Sequence, residues 1–435
     1  MVTAAQGQIF IDALRAGTKV EIAFGGGRQV FSVLPNDATA GKMSTFSSWG
    51  PSFELWLKPE VSAPGGLILS TYPRAKGNFA ILSGTSMAAP FVSGIIALLK
   101  QIKGKNFGSP NEITALLAAT AQPVQYNDGA TTHNFLAPVP QQGGGLVDAF
   151  EAAYTTTVLD LDNIALNDSR YFKPTHHLQI KNTGKKEQTY TFTNLIAATA
   201  YTLSTGSIIP DLFENIELLT DDASAATIRF DPKSLTVRPG KTGKLTLHFT
   251  QPKGLDVSRL PVYSGYVSIN GTNGDSLTLP YGGTTSKIRD AKILNTPSGF
   301  FLASSANTTV PTNNTLFVFP ANGANTTTDV LPTVSFDLAM GSRIVRLDVV
   351  PQNQKNIPTI FGLKTLGAIA ETPLQNQPRN NLISVPWNGK LANGKFAPAG
   401  KYQIVLRALK ITGDQKNPND YEKAETSVFE IKYST

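Results

Sequence analysis

Cysteine is absent from the 435-residue chain, and histidine is scarce, with four residues in all. Without cysteine, a disulfide framework, a thiolate metal site and a cysteine nucleophile are all excluded. Charged residues make up only 16% of the sequence, and the net charge of +7 comes from scattered lysines, of which Lys185-Lys186 is the tightest pair. A solvated surface explains this pattern better than a nucleic-acid interface, so no nucleic-acid partner is predicted.

Long hydrophobic runs are also missing. No stretch approaches the 18 apolar residues of a membrane-spanning helix, which predicts a chain without a membrane span. The first ten residues lack the basic segment and apolar core of a signal peptide. No cluster of side chains suited to a metal or cofactor stands out, so no cofactor is predicted. The composition that remains, 41% hydrophobic with 37 glycines and 28 prolines, is typical of folded, turn-rich and largely β proteins.

One stretch, residues 83–94 (SGTSMAAPFVSG), has the features of a nucleophile site. Its small residues run into an apolar helical pattern with the spacing of a buried face: Ala89, Val92, Ile95, Ile96 and Leu99. A serine at the start of such a helix lies beside free backbone N–H groups and the positive end of the helix dipole. Ser86 is therefore a candidate nucleophile for attack on a carbonyl, with its own N–H in an oxyanion hole. Gly84 would let backbone or substrate approach closely.

For a bare Gly-Thr-Ser, the better interpretation is the turn and N-cap of an ordinary core helix, with Thr85 or Ser86 as the cap. The longer string GTSMAAP (84–90), followed by VSG (92–94), resembles the nucleophile signature of the subtilisin-like serine proteases, the subtilases. This resemblance makes Ser86 the nucleophile. It also makes Gly84, Thr85, Met87 and Pro90 the supporting positions of the motif.

Neighbouring segments extend the resemblance. The strings FSSWGP (46–51) and KPEVSAPGG (58–66) are similar to segments that precede the subtilase nucleophile, although Glu60 stands where aspartate is common. GGGLVDA (143–149) resembles the turn that closes the catalytic domain, which implies a structural role for Asp148. Residues 6–24, with a helical stripe ended by Gly17 and an alternating strand, resemble the end of a protease-associated domain inserted in large secreted subtilases.

Four regions are predicted. Residues 1–26 close the inserted domain, and 27–156 form the C-terminal part of an α/β subtilisin-like catalytic domain. From residue 157 short alternating strands separated by Gly, Pro, Asn and Asp predict an all-β sandwich over 157–285, similar to a fibronectin-III-like domain. A second sandwich is predicted over 286–435, with turns at Trp387-Asn388-Gly389 and Asn393-Gly394. The Asn- and Thr-rich stretch 303–328 is predicted to be a long glycosylated loop.

The sequence contains five acceptor sites for N-glycosylation, all between residues 160 and 330. They are Asn167, Asn270, Asn307, Asn313 and Asn325. Their distribution favours a secreted protein, extracellular or associated with the cell wall, whose leader lies outside this chain.

The activating partners of the serine are missing from the sequence. A serine hydroxyl is a weak nucleophile until a base takes its proton, and in the subtilisin order Asp and His both precede Ser. All four histidines, His133, His176, His177 and His248, follow Ser86 without the family's His-Gly-Thr context. Neither asparagine before Ser86, Asn36 or Asn78, has the context of an oxyanion donor. The resemblance thus covers the C-terminal part of a subtilase only, and the isolated chain is expected to be inactive.

Three interpretations remain. In the first, the chain is part of a serine endopeptidase that acts on proteins or peptides, with Asp and His supplied by an N-terminal part of the catalytic domain. In the second, it is a non-catalytic, glycosylated binding or adhesion protein with a vestigial subtilase segment. In the third, the segment docks onto a separately made N-terminal half. Without its partner strands, the helix is expected to expose Ile95, Ile96 and Leu99.

Overall fold

The computed structural model describes residues 4–20, 39–104, 107–305, 314–320, 324–325 and 329–434, and side chains from residue 7 onward. The chain divides into two compact units, residues 1–40 and 41–435. In the first unit, α1 (Ala4–Arg15) is the predicted helix, and Gly17 follows it with a φ of 75° in the left-handed region. Residues 21–24 of the predicted strand lie outside the described residues.

The second unit begins with an α/β region. Its helices are α2 (Thr85–Lys103), α3 (Pro110–Thr120), α4 (Val139–Gln142) and α5 (Ala149–Tyr154). Its strands are β1 (Ile68–Thr71), β2 (Phe79–Leu82), β3 (Gln125–Asn127) and β4 (Thr132–Leu136). Strands β1 and β2 form an antiparallel hairpin directly before α2.

The start of α3 is fixed by its local sequence. The N–H of Ser109 donates to the Glu112 carboxylate at 2.7 Å, and the Ser109 hydroxyl accepts from the N–H of Glu112. This reciprocal pair satisfies two backbone donors, and Pro110, in the first turn, has no N–H to satisfy. The helix predicted after Ser109 is therefore confirmed, with Leu116 and Leu117 buried as expected.

The buried face of α2 differs from the predicted one. Ile95 and Leu99 are 5% and 1% exposed, because apolar side chains of α3 and α5 pack against them, and Ile96 is half-buried. The expectation that this face would be exposed is wrong, and Ala89, predicted to be buried, is exposed. The large apolar side chains that α2 does expose are Phe91, Leu98 and Ile102.

Helix α2 also meets a membrane-span criterion. Among the described residues, it is the one helix long and apolar enough to cross a membrane by length and composition. A single helix of this kind is weak support for a span, because the core helix of a soluble protein passes the same test. The absence of a membrane span thus stays a prediction.

A first β-sandwich follows the α/β region. Its strands are β5 (Thr157–Leu159), β6 (Ile164–Asn167), β7 (Thr175–Asn182), β8 (Gln188–Tyr201), β9 (Glu217–Leu219), β10 (Thr227–Asp231), β11 (Ser234–Val237), β12 (Thr242–Thr250), β13 (Pro261–Gly271) and β14 (Ser276–Thr284). One sheet has the order β10-β12-β7-β5. The other has the order β3-β4-β8-β13-β14-β6, and β9 and β11 pair with β8. Leucine and isoleucine from β7 and β12 pack on tyrosines and leucines of β13 and β14 to form the core.

The α/β region and the first sandwich share a sheet. Strand β4 pairs in parallel with β8 at Leu136 and Ala197, which places the β3–β4 hairpin at the edge of the sandwich. The buried hydroxyl of Tyr266 also donates to the carbonyl of Gly143 at 2.8 Å. Burial raises the pKa of Tyr266 well above its ordinary value, so this phenol stays protonated and keeps the bond.

A second β-sandwich occupies the C-terminal region. Its strands are β15 (Phe300–Ser304), β16 (Thr315–Phe319), β17 (Pro332–Phe336), β18 (Ser342–Pro351), β19 (Thr359–Ile360), β20 (Leu363–Lys364), β21 (Gly367–Ala368), β22 (Leu374–Gln377), β23 (Ile383–Pro386), β24 (Gly400–Leu409), β25 (Tyr421–Glu425) and β26 (Phe429–Tyr433). Strands β15-β17-β23 form one sheet and β16-β26-β24-β18-β21 the other. Trp387, Tyr402 and Phe429 are fully buried between them, with edge-to-face contacts of the Trp387 ring. An α/β portion followed by two β-sandwiches confirms the predicted fold class.

The sequence predicted one long loop over residues 303–328, and this prediction is wrong. Ser304 ends β15, and β16 pairs in parallel with β26. The physical reason is burial: Phe317 and Phe319 are 3% and 0% exposed in the core of the second sandwich, which draws this Asn- and Thr-rich stretch into the sheet. Residues 306–313, 321–323 and 326–328, with the acceptor sites Asn307 and Asn313, lie outside the described residues.

Candidate active site

Ser86 is the second residue of α2, and it is exposed. Strand β2 ends at Leu82, so only Ser83 and Gly84 separate the hairpin from the helix. Gly84 is the N-cap, and no side chain caps this helix. The interpretation of Thr85 or Ser86 as the N-cap residue is therefore wrong. The Ser86 hydroxyl does not cap the helix.

Two backbone contacts hold the loop before Ser86. The N–H of Gly84 donates to the carbonyl of Gly65 at 2.8 Å, and the N–H of Leu67 donates to the Ser83 hydroxyl at 2.9 Å. A Cβ added to Gly65 would lie 2.8 Å from the Gly84 carbonyl oxygen, closer than real Cβ contacts allow. Residue 65 must therefore be glycine for the two chain segments to approach each other.

Pro90 changes the hydrogen bonding of the turn that carries Ser86. In an α-helix the N–H of residue 90 would donate to the carbonyl of residue 86, and proline has no N–H. Thr85 and Pro90 are exposed, and Met87 is half-buried with its N–H donating to the Gly84 carbonyl at 3.0 Å. The first turn of α2 therefore lacks one helical hydrogen bond, at the Ser86 carbonyl, and the Gly84 N–H ties the start of the helix to Gly65.

The N-terminus of α2 can stabilise negative charge at Ser86. The first N–H groups of a helix have no acceptor within the helix, and the helix dipole places a partial positive charge there. An oxyanion formed on a carbonyl attacked by the Ser86 hydroxyl would lie beside these N–H groups. The arrangement supplies a nucleophile position and the backbone part of an oxyanion hole.

A base for Ser86 is absent from the described residues. Each histidine ring contacts a group other than Ser86 at 2.9–3.3 Å: His133 the Asp128 carboxylate, His176 the Lys173 carbonyl, His177 the Thr246 hydroxyl and His248 the Thr175 hydroxyl. The last three lie on the sheet of the first sandwich that contains β7 and β12. None of them can take the proton of Ser86 by a direct hydrogen bond in this arrangement.

An Asp–His pair does exist on the β3–β4 hairpin. Asp128 accepts from the N–H groups of Thr131 and Ala130 and contacts Nε2 of His133 at 2.9 Å. The Thr131 N–H, then the His133 ring and the Ala130 N–H, lower the pKa of Asp128 to about 2. The sequence alone set His133 outside the family's His-Gly-Thr context and did not connect it with Asp128. The signal it overlooked is an Asp in a turn directly before the strand that carries His133.

Apolar side chains are exposed around the candidate nucleophile. On the β1–β2 hairpin, Leu69, Phe79 and Ile81 are exposed, as are Phe91, Leu98 and Ile102 on α2. Between α2 and α3 lies an apolar groove of about 490 Å³. Val61, Val92, Ile96 and Leu117 line it. The hairpin and helix that meet before Ser86 therefore expose an apolar surface of the kind that a further protein segment covers.

The described acceptor asparagines differ in exposure. Asn270, at the turn between β13 and β14, and Asn325 are exposed. Asn167, at the end of β6, is half-buried and has a φ of 58°. Two of the three described sites are thus exposed, and the Asn270 amide donates to the Ser268 hydroxyl at 3.1 Å.

Two segments of the chain match known protein families in sequence. Residues 5–145 match the model of the Subtilase family, and residues 164–282 match that of an Fn3-like domain. The PIII-type proteinase of Lactococcus lactis subsp. cremoris (strain SK11) is 32% identical over 291 residues, which are 62% of this chain and 14% of that protein. The PII-type proteinase of Lacticaseibacillus paracasei is also 32% identical, over 62% of this chain and 15% of its own length.

A shorter segment of the chain is similar in sequence to a further peptidase. The C5a peptidase of Streptococcus pyogenes serotype M18 (strain MGAS8232) is 39% identical over 137 residues, 30% of this chain and 11% of that protein. Among solved structures, the PapD-like domain 7 of human CEP192 covers 31% of this chain at a TM-score of 0.23 and 12% identity, too low to show a shared fold. The chain spans about one seventh of the length of the lactic-acid bacterial proteinases that it matches. Residues 5–145 are thus similar to the Subtilase family, and residues 164–282 are similar to an Fn3-like domain.

Proposed function

We propose that the chain is part of a subtilisin-like serine endopeptidase in which Ser86 forms the acyl-enzyme with protein or peptide substrates. The observation that carries this proposal is the position of Ser86. It is exposed, in the first turn of α2, on a loop held by the Gly65–Gly84 contact. The supporting positions Gly84, Thr85, Met87 and Pro90 surround it as the family motif implies.

The Asp and His that activate Ser86 come from a segment other than the described residues. The exposed apolar side chains of the β1–β2 hairpin and α2, with the groove between α2 and α3, are the surface on which this segment packs. Burying such a surface removes apolar area from water, which favours association against the entropy that association costs. The remainder of the catalytic domain is thus the first partner of this chain. The domain limits at 26/27, 156/157 and 285/286 belong to the same proposal.

Two substitutions on one helix test the catalytic role. The gene is expressed with its flanking sequence in its own host, and casein hydrolysis is measured for the unaltered protein, Ser86→Ala and Ser93→Ala. Ser93 is an exposed serine of the same helix, and its hydroxyl donates to the Ala89 carbonyl. We expect Ser86→Ala to lower the rate by at least about 10³-fold, since removing a nucleophile eliminates the acyl-enzyme route, and Ser93→Ala to retain it.

Two results would overturn the proposed catalytic role. A secreted product of 46.5 kDa after removal of glycans, without a partner and without proteolysis, would overturn the proposal in favour of a non-catalytic binding or adhesion protein. Residual proteolysis in Ser86→Ala equal to that of the unaltered protein would overturn it as well. A partner chain that carries Asp and His would support the catalytic role with the site split between two chains.

We further propose an extracellular or cell-wall location with N-glycans on the acceptor asparagines. The exposure of Asn270 and Asn325 supports these two most directly, whereas Asn167 is half-buried. Mass spectrometry of the secreted protein before and after glycosidase treatment tests the modification. Glycan mass on Asn270 supports the proposal, and an unmodified Asn270 and Asn325 in secreted protein contradict it.

A further inference from the structure

Six basic residues of the first sandwich gather around one buried asparagine. They are Lys181, Lys185, Lys186, Arg238, Lys241 and Lys244, which we call the basic cluster. All six are exposed. They lie on two strands and two turns, and the first and last of them, Lys181 and Lys244, are 63 residues apart in the sequence.

Asn182 fixes the two turns that carry most of the cluster. Its side-chain amide donates to the carbonyls of Lys186 and Val237 at 2.8 and 2.9 Å. Its backbone N–H donates to the Lys241 carbonyl at 3.0 Å, and its carbonyl accepts from Gly240 at 2.8 Å. Since Asn182 is fully buried and bonded in both turns, it holds the Lys185-Lys186 turn against the Arg238–Lys241 turn.

Strand register adds the last two cations. Lys181 on β7 pairs with Thr242 on β12, and Lys244 pairs with Gln179. Lys181 and Lys244 are therefore diagonal neighbours on the outer face of the sheet, about 7 Å apart. Exposed Gln179 and Thr242 lie between them and offer polar groups to a ligand.

Acidic neighbours do not cancel this charge. Within the described residues, Arg238 is the one member of the cluster with a carboxylate within 4.0 Å, at 3.8 Å from Glu187. Lys181 also attracts the carboxylate of Glu112. The Asp160 carboxylate also lies beside the patch, since it accepts from the Gln179 N–H at 2.8 Å. Six cations against these three carboxylates leave a positive patch, and the bonds of Asn182 hold its two turns together.

We propose that the basic cluster binds an acidic polysaccharide. The cations are spread over two turns and two strands, so a linear polymer with repeated anionic groups meets more of them than a small anion does. Gln179 and Thr242 provide hydrogen bonds for sugar hydroxyls between the cationic contacts. No member of the cluster, and neither of these two neighbours, is an aromatic residue on which a base could stack.

Binding of polymers of matched charge to the 435-residue chain tests the proposal. The probes are fluorescently labelled polygalacturonate, with one carboxylate per sugar, poly(dT), with one phosphate per nucleotide, and uncharged dextran. We expect binding to polygalacturonate, weaker binding to poly(dT) and none to dextran. Tighter binding to poly(dT) than to polygalacturonate would overturn the proposal in favour of nucleic acid.

Charge-matched variants locate the site. The variant K181Q/K241Q/K244Q removes three cations of the cluster, and K355Q/K364Q/K395Q removes three exposed lysines of the second sandwich. We expect the first to weaken polygalacturonate binding at least tenfold and to reduce the slope of log affinity against log salt by about 2, as the loss of three ionic contacts predicts. The second should change affinity less than twofold. Equal effects of the two variants would contradict a site at the basic cluster.

Discussion

Arg407 and Asp348 form an ion pair at zero exposure inside the second sandwich. The Nε and Nη2 atoms of Arg407 donate to Oδ2 of Asp348 at 2.9 and 2.5 Å, and Nη1 donates to the Phe361 carbonyl at 2.7 Å. Arg346 contacts the other carboxylate oxygen at 3.3 Å. Both charges are desolvated, so removal of Asp348 would leave Arg407 buried without a carboxylate, and removal of Arg407 would leave Asp348 with Arg346 as its cation.

Breaking this pair from one side should be costly. We expect Arg407→Met or Asp348→Asn to lower the free energy of unfolding of the second sandwich by about 3–5 kcal/mol, and the double replacement R407M/D348L to cost clearly less than the sum. The measurement is denaturant unfolding followed by fluorescence in a W49F/W56F background, which leaves buried Trp387 as the reporter. Lys432 pairs with Glu430 at 3.4 Å on the surface of the same sandwich, and its removal should cost under about 1 kcal/mol. A similarly small effect of Arg407→Met would contradict the account.

The capping box of α3 predicts a local effect. Ser109→Ala removes the acceptor for the Glu112 N–H and should destabilise the start of α3 by about 1 kcal/mol. Amide hydrogen exchange at Glu112 and Ile113 should then be about fivefold faster. Asn111→Ala, at an exposed position of the same turn, is the control and should leave exchange nearly unchanged. Equal rates in both variants would show that the cap does not hold this helix.

Asp128 provides a pH-dependent test. Its pKa of about 2 lies below the ordinary value near 3.9, so its carboxylate stabilises the folded turn above pH 4, and this contribution is lost as the pH falls through 2. The carboxyl carbon of Asp128, followed by NMR, should titrate near 2. In His133→Gln the midpoint should rise but stay below 3.9, because the N–H groups of Thr131 and Ala130 remain. A midpoint that returns fully to 3.9 would assign the whole effect to His133.

Alanine substitutions at two adjacent glycines, Gly65 and Gly66, distinguish the effect of close packing from the effect of reduced chain flexibility in the loop before Ser86. In Gly65→Ala the new Cβ would meet the Gly84 carbonyl oxygen at 2.8 Å, so the Gly84–Gly65 hydrogen bond should open and Gly84 amide exchange should be at least tenfold faster. In Gly66→Ala the nearest atom is the Ser44 hydroxyl at 3.9 Å, an ordinary contact. This control should leave the exchange at Gly84 unchanged. Unaltered exchange in both variants would show that the loop does not depend on this approach.

Local patterns predicted the fold where neighbours in sequence decide the structure. Ser109-Pro110 marked the start of α3, and alternating strands marked both sandwiches. Asp148, assigned a structural role, accepts from the N–H groups of Phe150 and Glu151 at the start of α5. In these cases the hydrogen bonds and the hydrophobic period lie within a few residues of each other.

Tertiary contacts decided the features that the sequence could not predict. The pattern of α2 predicted Ile95 and Leu99 on the buried face, but not that α3 and α5 would cover them or that Ala89 would be exposed. Likewise, scattered lysines became a cluster only through the register of β7 and β12, which no local pattern encodes. Ser86 was found from its motif, whereas the need for glycine at position 65 follows from a contact across the loop.

Covalent labelling of Ser86 tests the central claim most directly. The protein isolated from its natural source, in whatever assembly it forms, is treated with a fluorophosphonate, digested and mapped by mass spectrometry. The account predicts a phosphonylated Ser86 and no labelling of Ser93 on the same helix. An unlabelled Ser86, in a preparation where an active subtilisin added as a standard is labelled, would contradict the assignment of Ser86 as the nucleophile.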